Sequence, residues 1–203
     1  MKLFVTGIGT EVGKTVVSAI LTEALQADYW KPVQAGDLDY SDTQKVKDMV
    51  SNSKSTFYTE TFALNHPMSP HAAAERDGID ISLNDFKIPE TENHLIIEGA
   101  GGLMVPLNRK DCIIDLIEGI DAEVVLVSRN YLGSINHTLL SVEAIVSRGI
   151  SIKGIIFNDV ENVDTESVII EMTGLKYLGR VEMEVDLTQE VISNYASKFR
   201  AVL

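Results

Sequence analysis

Four short runs of apolar residues punctuate the chain: KLFVTG at the N-terminus, then HLIIEGAGG, AEVVLVS and KGIIFND. In each, apolarity is continuous rather than alternating, which predicts strands covered on both faces. Each closes on a polar residue or a glycine. Between them the spacing changes. In KTVVSAILTEALQ, Val17, Ile20, Leu21 and Ala24 recur at helical intervals. SINHTLLSVEAIVSRG predicts a second helix, closed by Gly149. YWKPVQAG predicts a further short strand, and SDTQKVKDMV a helix capped by Ser41 or Asp42. This β-α-β rhythm predicts an α/β fold with a doubly wound, mostly parallel sheet and flanking helices. Ligands of such sheets bind outside the carboxyl ends of the strands, where the unusual polar residues of this chain fall.

The stretch from Ser53 to Pro89 is the least regular and holds three of the five prolines, with one short helix expected at PHAAAERDG. No repeat, low-complexity segment or linker interrupts the chain. Its 203 residues, 45% hydrophobic, suit one domain over residues 1–203. The net charge of −13 argues against nucleic acid and anionic membrane as partners. It leaves room for a small anion, since a local nest of amides and lysines overrides the global field. With no signal-like N-terminal segment, no apolar run long enough to span a bilayer and only Cys112 as a thiol, the expectation is a cytoplasmic protein in a reducing compartment. Cys112 is expected to be buried. The four histidines do not form a metal set.

The candidate chemistry starts at FVTGIGTEVGKT. The usual phosphate loop has four residues between its first glycine and Gly-Lys-Ser/Thr. Here five separate Gly7 from Gly13, and three separate Gly9 from Gly13. The strict pattern fails, yet its physical requirements are met: a strand, a glycine-rich turn, then a helix starting at Lys14. The amides and dipole of that helix start favour phosphate. Lys14 can reach the terminal phosphates and the Thr15 hydroxyl can bind Mg²⁺. A plain glycine turn before a helix is the bland alternative.

Magnesium needs further oxygen ligands. Asp42 follows the second strand, where it serves either as a ligand or as a helix cap. Glu98 closes HLIIE, where an acid ending a buried strand is costly unless paired. Lys31 sits in an apolar strand beside Pro32. It reads either as a second cation for phosphoryl transfer or as a snorkelling surface lysine. Asn158, ending GIIFN, either contacts a purine edge or opens a turn.

Taken together, FVTGIGTEVGKT, KPVQAG, the Ser-Asp of YSDTQ, SPH at 69–71, IEGAGGLMVPL, LGSINH and FNDV resemble the ATP-dependent dethiobiotin synthetase family, in the family's order, over residues 4 to 160. The lengthened loop is the family's own form. The resemblance implies a P-loop NTPase-like homodimer with a seven-stranded parallel sheet. It implies conversion of 7,8-diaminononanoate, CO₂ and MgATP to dethiobiotin, ADP and phosphate through a carbamate and a carbamic-phosphoric anhydride. By resemblance, Gly9, Thr10, Glu11, Val12, Gly13, Lys14, Thr15 and Val16 surround the phosphates. Lys14 and Lys31 are catalytic, and Lys31 also binds substrate. Thr15, Asp42 and Glu98 hold Mg²⁺ and Asn158 reads adenine. Gly133, Ser134, Ile135 and Asn136 of the partner subunit bind the substrate carboxylate, and His71 lines the substrate pocket.

Two departures stand out. Ala35 replaces the family's frequent Ser or Thr, and GRVEMEVDLT lacks the family's proline near adenine. After residue 160 the motifs match weakly. Two other classes compete. Partitioning ATPases of the same superfamily carry a lysine early in the loop, and none lies between Lys2 and Lys14. Nicotinamide oxidoreductases need a GxGxxG opening that Gly-Lys-Thr replaces.

Overall fold

A computed structural model describes residues 1–203. Seven strands form one sheet: β1 (Lys2–Gly7), β2 (Asp28–Trp30), β4 (Phe57–Tyr58), β6 (Leu95–Gly102), β7 (Glu123–Arg129), β8 (Ile152–Asn158) and β9 (Tyr177–Val181). Their spatial order is β4-β2-β6-β1-β7-β8-β9, and every neighbouring pair is parallel. A separate two-stranded parallel sheet joins β3 (Val33–Ala35) to β5 (Phe62–Leu64).

The helices lie on both faces. On one, α1 (Lys14–Leu25), α2 (Asp42–Met49) and α7 (Gln189–Arg200) bury Val17, Ile20, Leu21, Val46, Ile192 and Phe199 against Leu3, Val5, Ile96 and Val125. On the other, α3 (Pro70–Asp77), α4 (Ile113–Ile120), α5 (Ser134–Ser147) and α6 (Val163–Thr173) cover Phe4, Ile97, Val124, Leu126 and Phe157. Strict alternation along β1 (Leu3 and Val5 to one side, Phe4 to the other) explains why its sequence reads as unbroken apolarity.

β1 and β6 are neighbours whose chains leave in opposite directions. β1 continues through α1 to β2 on one side, and β6 through α4 to β7 on the other. A crevice therefore opens between their carboxyl ends.

Several local expectations are changed or decided. YWKPVQAG is two strands, not one. Pro32 has no amide to donate to a ladder, so β2 stops at Trp30 and the chain re-enters pairing in the second sheet at Val33. β6 does not end at Glu98. It runs to Gly102, whose register partner is Gly7, after a shift in pairing between Val5 and Gly7. Ser41, not Asp42, caps α2, accepting the Gln44 amide at 3.4 Å, which leaves the Asp42 carboxylate for other partners. The irregular stretch before Pro89 contains its expected short helix as α3, and Gly149 follows α5 with φ +68. Cys112 is half-buried at the N-terminus of α4, not enclosed in the core.

Candidate active site at the carboxyl end of the sheet

The loop from β1 to α1 turns inward through two left-handed residues, Glu11 (φ 57) and Gly13 (φ 93). Successive amides in such a turn form an anion-binding concavity. At Gly13 the constraint is also spatial: a Cβ there would stand 2.2 Å from Asn158 Nδ2. Asn158 donates from that nitrogen to the Val12 carbonyl at 2.9 Å, so the end of β8 braces the loop. Arg129 adds a second brace, reaching the Glu11 carbonyl while paired at 2.7 Å with Asp159.

Lys14 is buried, and its Nζ donates to Gly9 O at 2.9 Å. Burial is the main reason that its pKa falls to about 8. The nearby Lys31 charge acts in the same direction, and the Glu98 and Asp42 carboxylates oppose it. A phosphate in the loop would supply the missing counter-charge.

Alternation in the sheet explains the rest of the cluster. Tyr29 and Ile96 are register partners, as are Trp30 and Ile97; one step further, Lys31 meets Glu98. Glu98 shares a face with Ile96, the face covered by α1, and so lies under the first turn of that helix. Its Oε1 accepts from Thr15 Oγ1 at 2.9 Å and from Lys31 Nζ at 3.0 Å, and its Oε2 accepts from Tyr29 Oη at 2.9 Å. Lys31 Nζ also contacts Asp42 Oδ2 at 2.5 Å, and Lys45 Nζ contacts Asp42 Oδ1 at 3.0 Å. Glu98 and Lys31 are 1% and 5% exposed, which excludes the snorkelling reading of Lys31. Burial works against the Lys31 charge. The Glu98 and Asp42 carboxylates outweigh it and hold the lysine pKa above its usual value. Asp42 is likewise penalised by burial, yet Lys31 and Lys45 hold its pKa low.

These groups line a cavity of about 760 Å³. Of the expected site residues it takes in Thr10, Glu11, Gly13, Lys14, Thr15, Val16, Lys31, Asp42 and Glu98. Gly9 lines a neighbouring groove, and Val12 is buried behind the loop. Asn158 contacts the loop from outside the cavity. Gly133, Ser134, Ile135 and Asn136, at the start of α5, are also outside it.

Sequence reading missed three contributors. Lys45 stands three residues after Asp42 on one helix, a spacing that pairs charges. Gln34 accepts from the Asp42 amide at 3.2 Å and donates to Gly36 O at 2.8 Å, fixing the start of α2. Tyr29 shares the strand face of Lys31, a relation legible only once β2 is known to pair with β6.

The oxygen set fits Mg²⁺. Thr15, Asp42 and Glu98 supply hard donors, and both carboxylates already converge on one cation, the Lys31 ammonium. No group of three or more His, Cys, Asp or Glu residues could by itself hold a metal ion.

A family model described as an AAA domain matches residues 1–191. A protein of Christiangramia forsetii named ATP-dependent dethiobiotin synthetase is 61% identical over 197 residues, spanning 97% of this chain and 95% of that protein. Proteins of the same name from Cytophaga hutchinsonii and Chlamydia felis are 50% and 42% identical, spanning 97% and 98% of this chain and 96% and 94% of theirs. The chain belongs to the ATP-dependent dethiobiotin synthetase family. The alignments to its members continue beyond residue 160, where the motifs alone carried little. Among solved structures, the cell-division ATPase MinD of Pyrococcus furiosus aligns over 100% of this chain and 99% of its own, with a TM-score of 0.57 at 12% identity. A ParA family ATPase of Chlorobium tepidum aligns over 96% and 97%, with a TM-score of 0.53 at 14% identity. At such identities the likeness shows a shared P-loop ATPase fold alone. No helix is long and apolar enough to cross a membrane.

Proposed function

We propose that this chain is a cytoplasmic cyclo-ligase, one functional domain over residues 1–203, that makes dethiobiotin from 7,8-diaminononanoate, CO₂ and ATP with Mg²⁺. The observation that carries the proposal is the convergence of two buried lysines, Lys14 and Lys31, on one cavity with Thr15, Asp42 and Glu98. Phosphoryl transfer is catalysed chiefly by positioning and charge neutralisation, and this cluster offers both. Membership of the dethiobiotin synthetase family supports this choice of substrates.

One substrate amine attacks CO₂ and loses a proton, giving a carbamate. A carbamate oxygen then attacks the γ-phosphorus, and the bond to the ADP oxygen breaks. The second amine attacks the carbonyl carbon of the resulting anhydride; the carbon–oxygen bond to phosphate breaks, a proton leaves and the cyclic urea closes. Lys14 holds the terminal phosphates. Lys31 holds the carbamate against the γ-phosphoryl group. Thr15, Asp42 and Glu98 would hold Mg²⁺, which when bound neutralises the phosphate oxygens. The amides of Gly9 to Val16 wrap the phosphates. Asn158 keeps its Nδ2 on the loop and accepts from the adenine amino group through its oxygen.

The substrate carboxylate binds to Gly133, Ser134, Ile135 and Asn136 of a second copy. An exposed apolar face supports the homodimer: Leu132 is fully exposed, and Leu140 and Met104 are 59% and 62% exposed. Met104 and Leu140 line a groove of about 400 Å³ between the phosphate loop and α5.

Oxygen transfer tests the chemistry. With ¹⁸O-labelled CO₂ and bicarbonate, attack by the carbamate oxygen leaves one labelled oxygen in the inorganic phosphate. Unlabelled phosphate alongside labelled-urea product would rule out the anhydride route.

A further inference from the structure

We propose that Tyr29 is a positioning residue for the reaction: its hydroxyl holds Oε2 of Glu98 and thereby presents Oε1 to Thr15, Lys31 and the magnesium site. This rests on the function proposed above and adds a residue to it. Tyr29 is wholly buried in the core layer beneath α1, among Val5, Ile20 and Ile96. Its ring lies 6.1 Å, centroid to centroid, from that of Phe57. Packing alone needs only a phenyl ring there, because a buried hydroxyl is costly without a partner. The hydroxyl has one, Glu98 Oε2 at 2.9 Å.

The two carboxylate oxygens are thus divided. Oε2 points into the core and is held by a neutral donor. Oε1 faces the cavity with Thr15 at 2.9 Å and Lys31 at 3.0 Å. A carboxylate secured through one oxygen cannot turn to offer both to an ion. Hydrogen bonds of this kind orient metal-ligating carboxylates, and their loss typically costs about 10- to 100-fold in metal affinity or activity.

The test is Tyr29→Phe, which keeps the ring. Mn²⁺ binding in the presence of ADP is followed by electron paramagnetic resonance, alongside the Mg²⁺ dependence of dethiobiotin formation and thermal melting. The expected result is a roughly tenfold rise in both metal constants, with the KM for the diamine unchanged. In a Glu98→Gln background, Tyr29→Phe should add less than about twofold, because coupled residues are not additive. Unchanged metal constants, with or without a lower melting temperature, would overturn the proposal, leaving Tyr29 a packing residue. So would fully additive effects in the double variant. If wild-type protein binds Mn²⁺ and Tyr29→Phe weakens it, but neither makes dethiobiotin, the assigned reaction fails while the positioning role stands.

Discussion

From just beyond the end of β2, Lys31 donates to Glu98 of the neighbouring parallel strand β6 at 3.0 Å, from a position 67 residues earlier in the chain. The pair is buried, and its register follows from Trp30 standing opposite Ile97. A cation enclosed by Glu98 and Asp42 has no reason of packing to be there, and its place in one cavity with the β1–α1 loop suits the proposed phosphoryl chemistry.

Replacing that cation should separate chemistry from folding. Lys31→Met is expected to lower kcat by at least about 100-fold, the scale of losing one preorganised charge contact in a transition state. It also leaves Glu98 and Asp42 facing each other. In Mg²⁺-free buffer the loss of stability should be roughly 2–3 kcal/mol, below a fully buried pair because Asp42 is partly exposed. MgADP should restore part of it in thermal melts. Wild-type turnover in Lys31→Met would remove the residue from the mechanism.

Lys14 should give the binding of nucleotide a pH dependence. Its pKa in the free protein is about 8, and bound phosphate favours its protonated form. Below pH 8 the lysine is already charged and affinity is flat. Above pH 8, binding must take up a proton, so affinity falls by up to about tenfold per pH unit. ADP titration calorimetry from pH 7 to 9.5 in buffers of different ionisation enthalpy reads both the fall and the proton uptake.

Gly13→Ala should weaken ADP binding more than tenfold. The new Cβ meets Asn158 Nδ2 at 2.2 Å, and φ +93 is strained for alanine by about 1–3 kcal/mol. Gly13→Ala with Asn158→Ala should recover the steric part in chemical denaturation but keep the backbone part. Full recovery would show that conformational strain contributes little.

Leu140→Arg places a charge on the apolar groove beside α5. Light scattering should report a monomer. Dethiobiotin formation should fall while ADP binding, built within one chain, stays within about twofold. A dimer that survives the change would place the interface elsewhere.

Much of the fold was legible because buried parallel strands carry their signal locally. HLIIE, AEVVLVS and KGIIF announce β6, β7 and β8, and α1 and α5 show clear helical spacing. β4, β5, β9, α4, α6 and α7 carry no comparable signal. β4 is only two residues long, and α6 and α7 mix polar residues through their exposed faces. The split of YWKPVQAG follows from Pro32, yet only tertiary pairing shows where the second half goes. At the site, Lys14 and Thr15 are legible from the loop, Lys31 as a lysine in an apolar run, Glu98 as an acid in a buried strand and Asp42 as a carboxylate following the second strand. The hydrogen bonds from Tyr29 and Lys45 depend on register and helix phase, which no single segment encodes. For Asn158 the sequence offers a purine edge or a turn, and its contact with Val12 adds a brace on the loop that the sequence does not reveal.

What the bound phosphoryl group is used for decides the function. Purified protein given 7,8-diaminononanoate, bicarbonate and MgATP should yield dethiobiotin by mass spectrometry, one molecule for each ADP formed. ATP hydrolysis without dethiobiotin, whether or not nucleic acid or lipid stimulates it, would contradict the account.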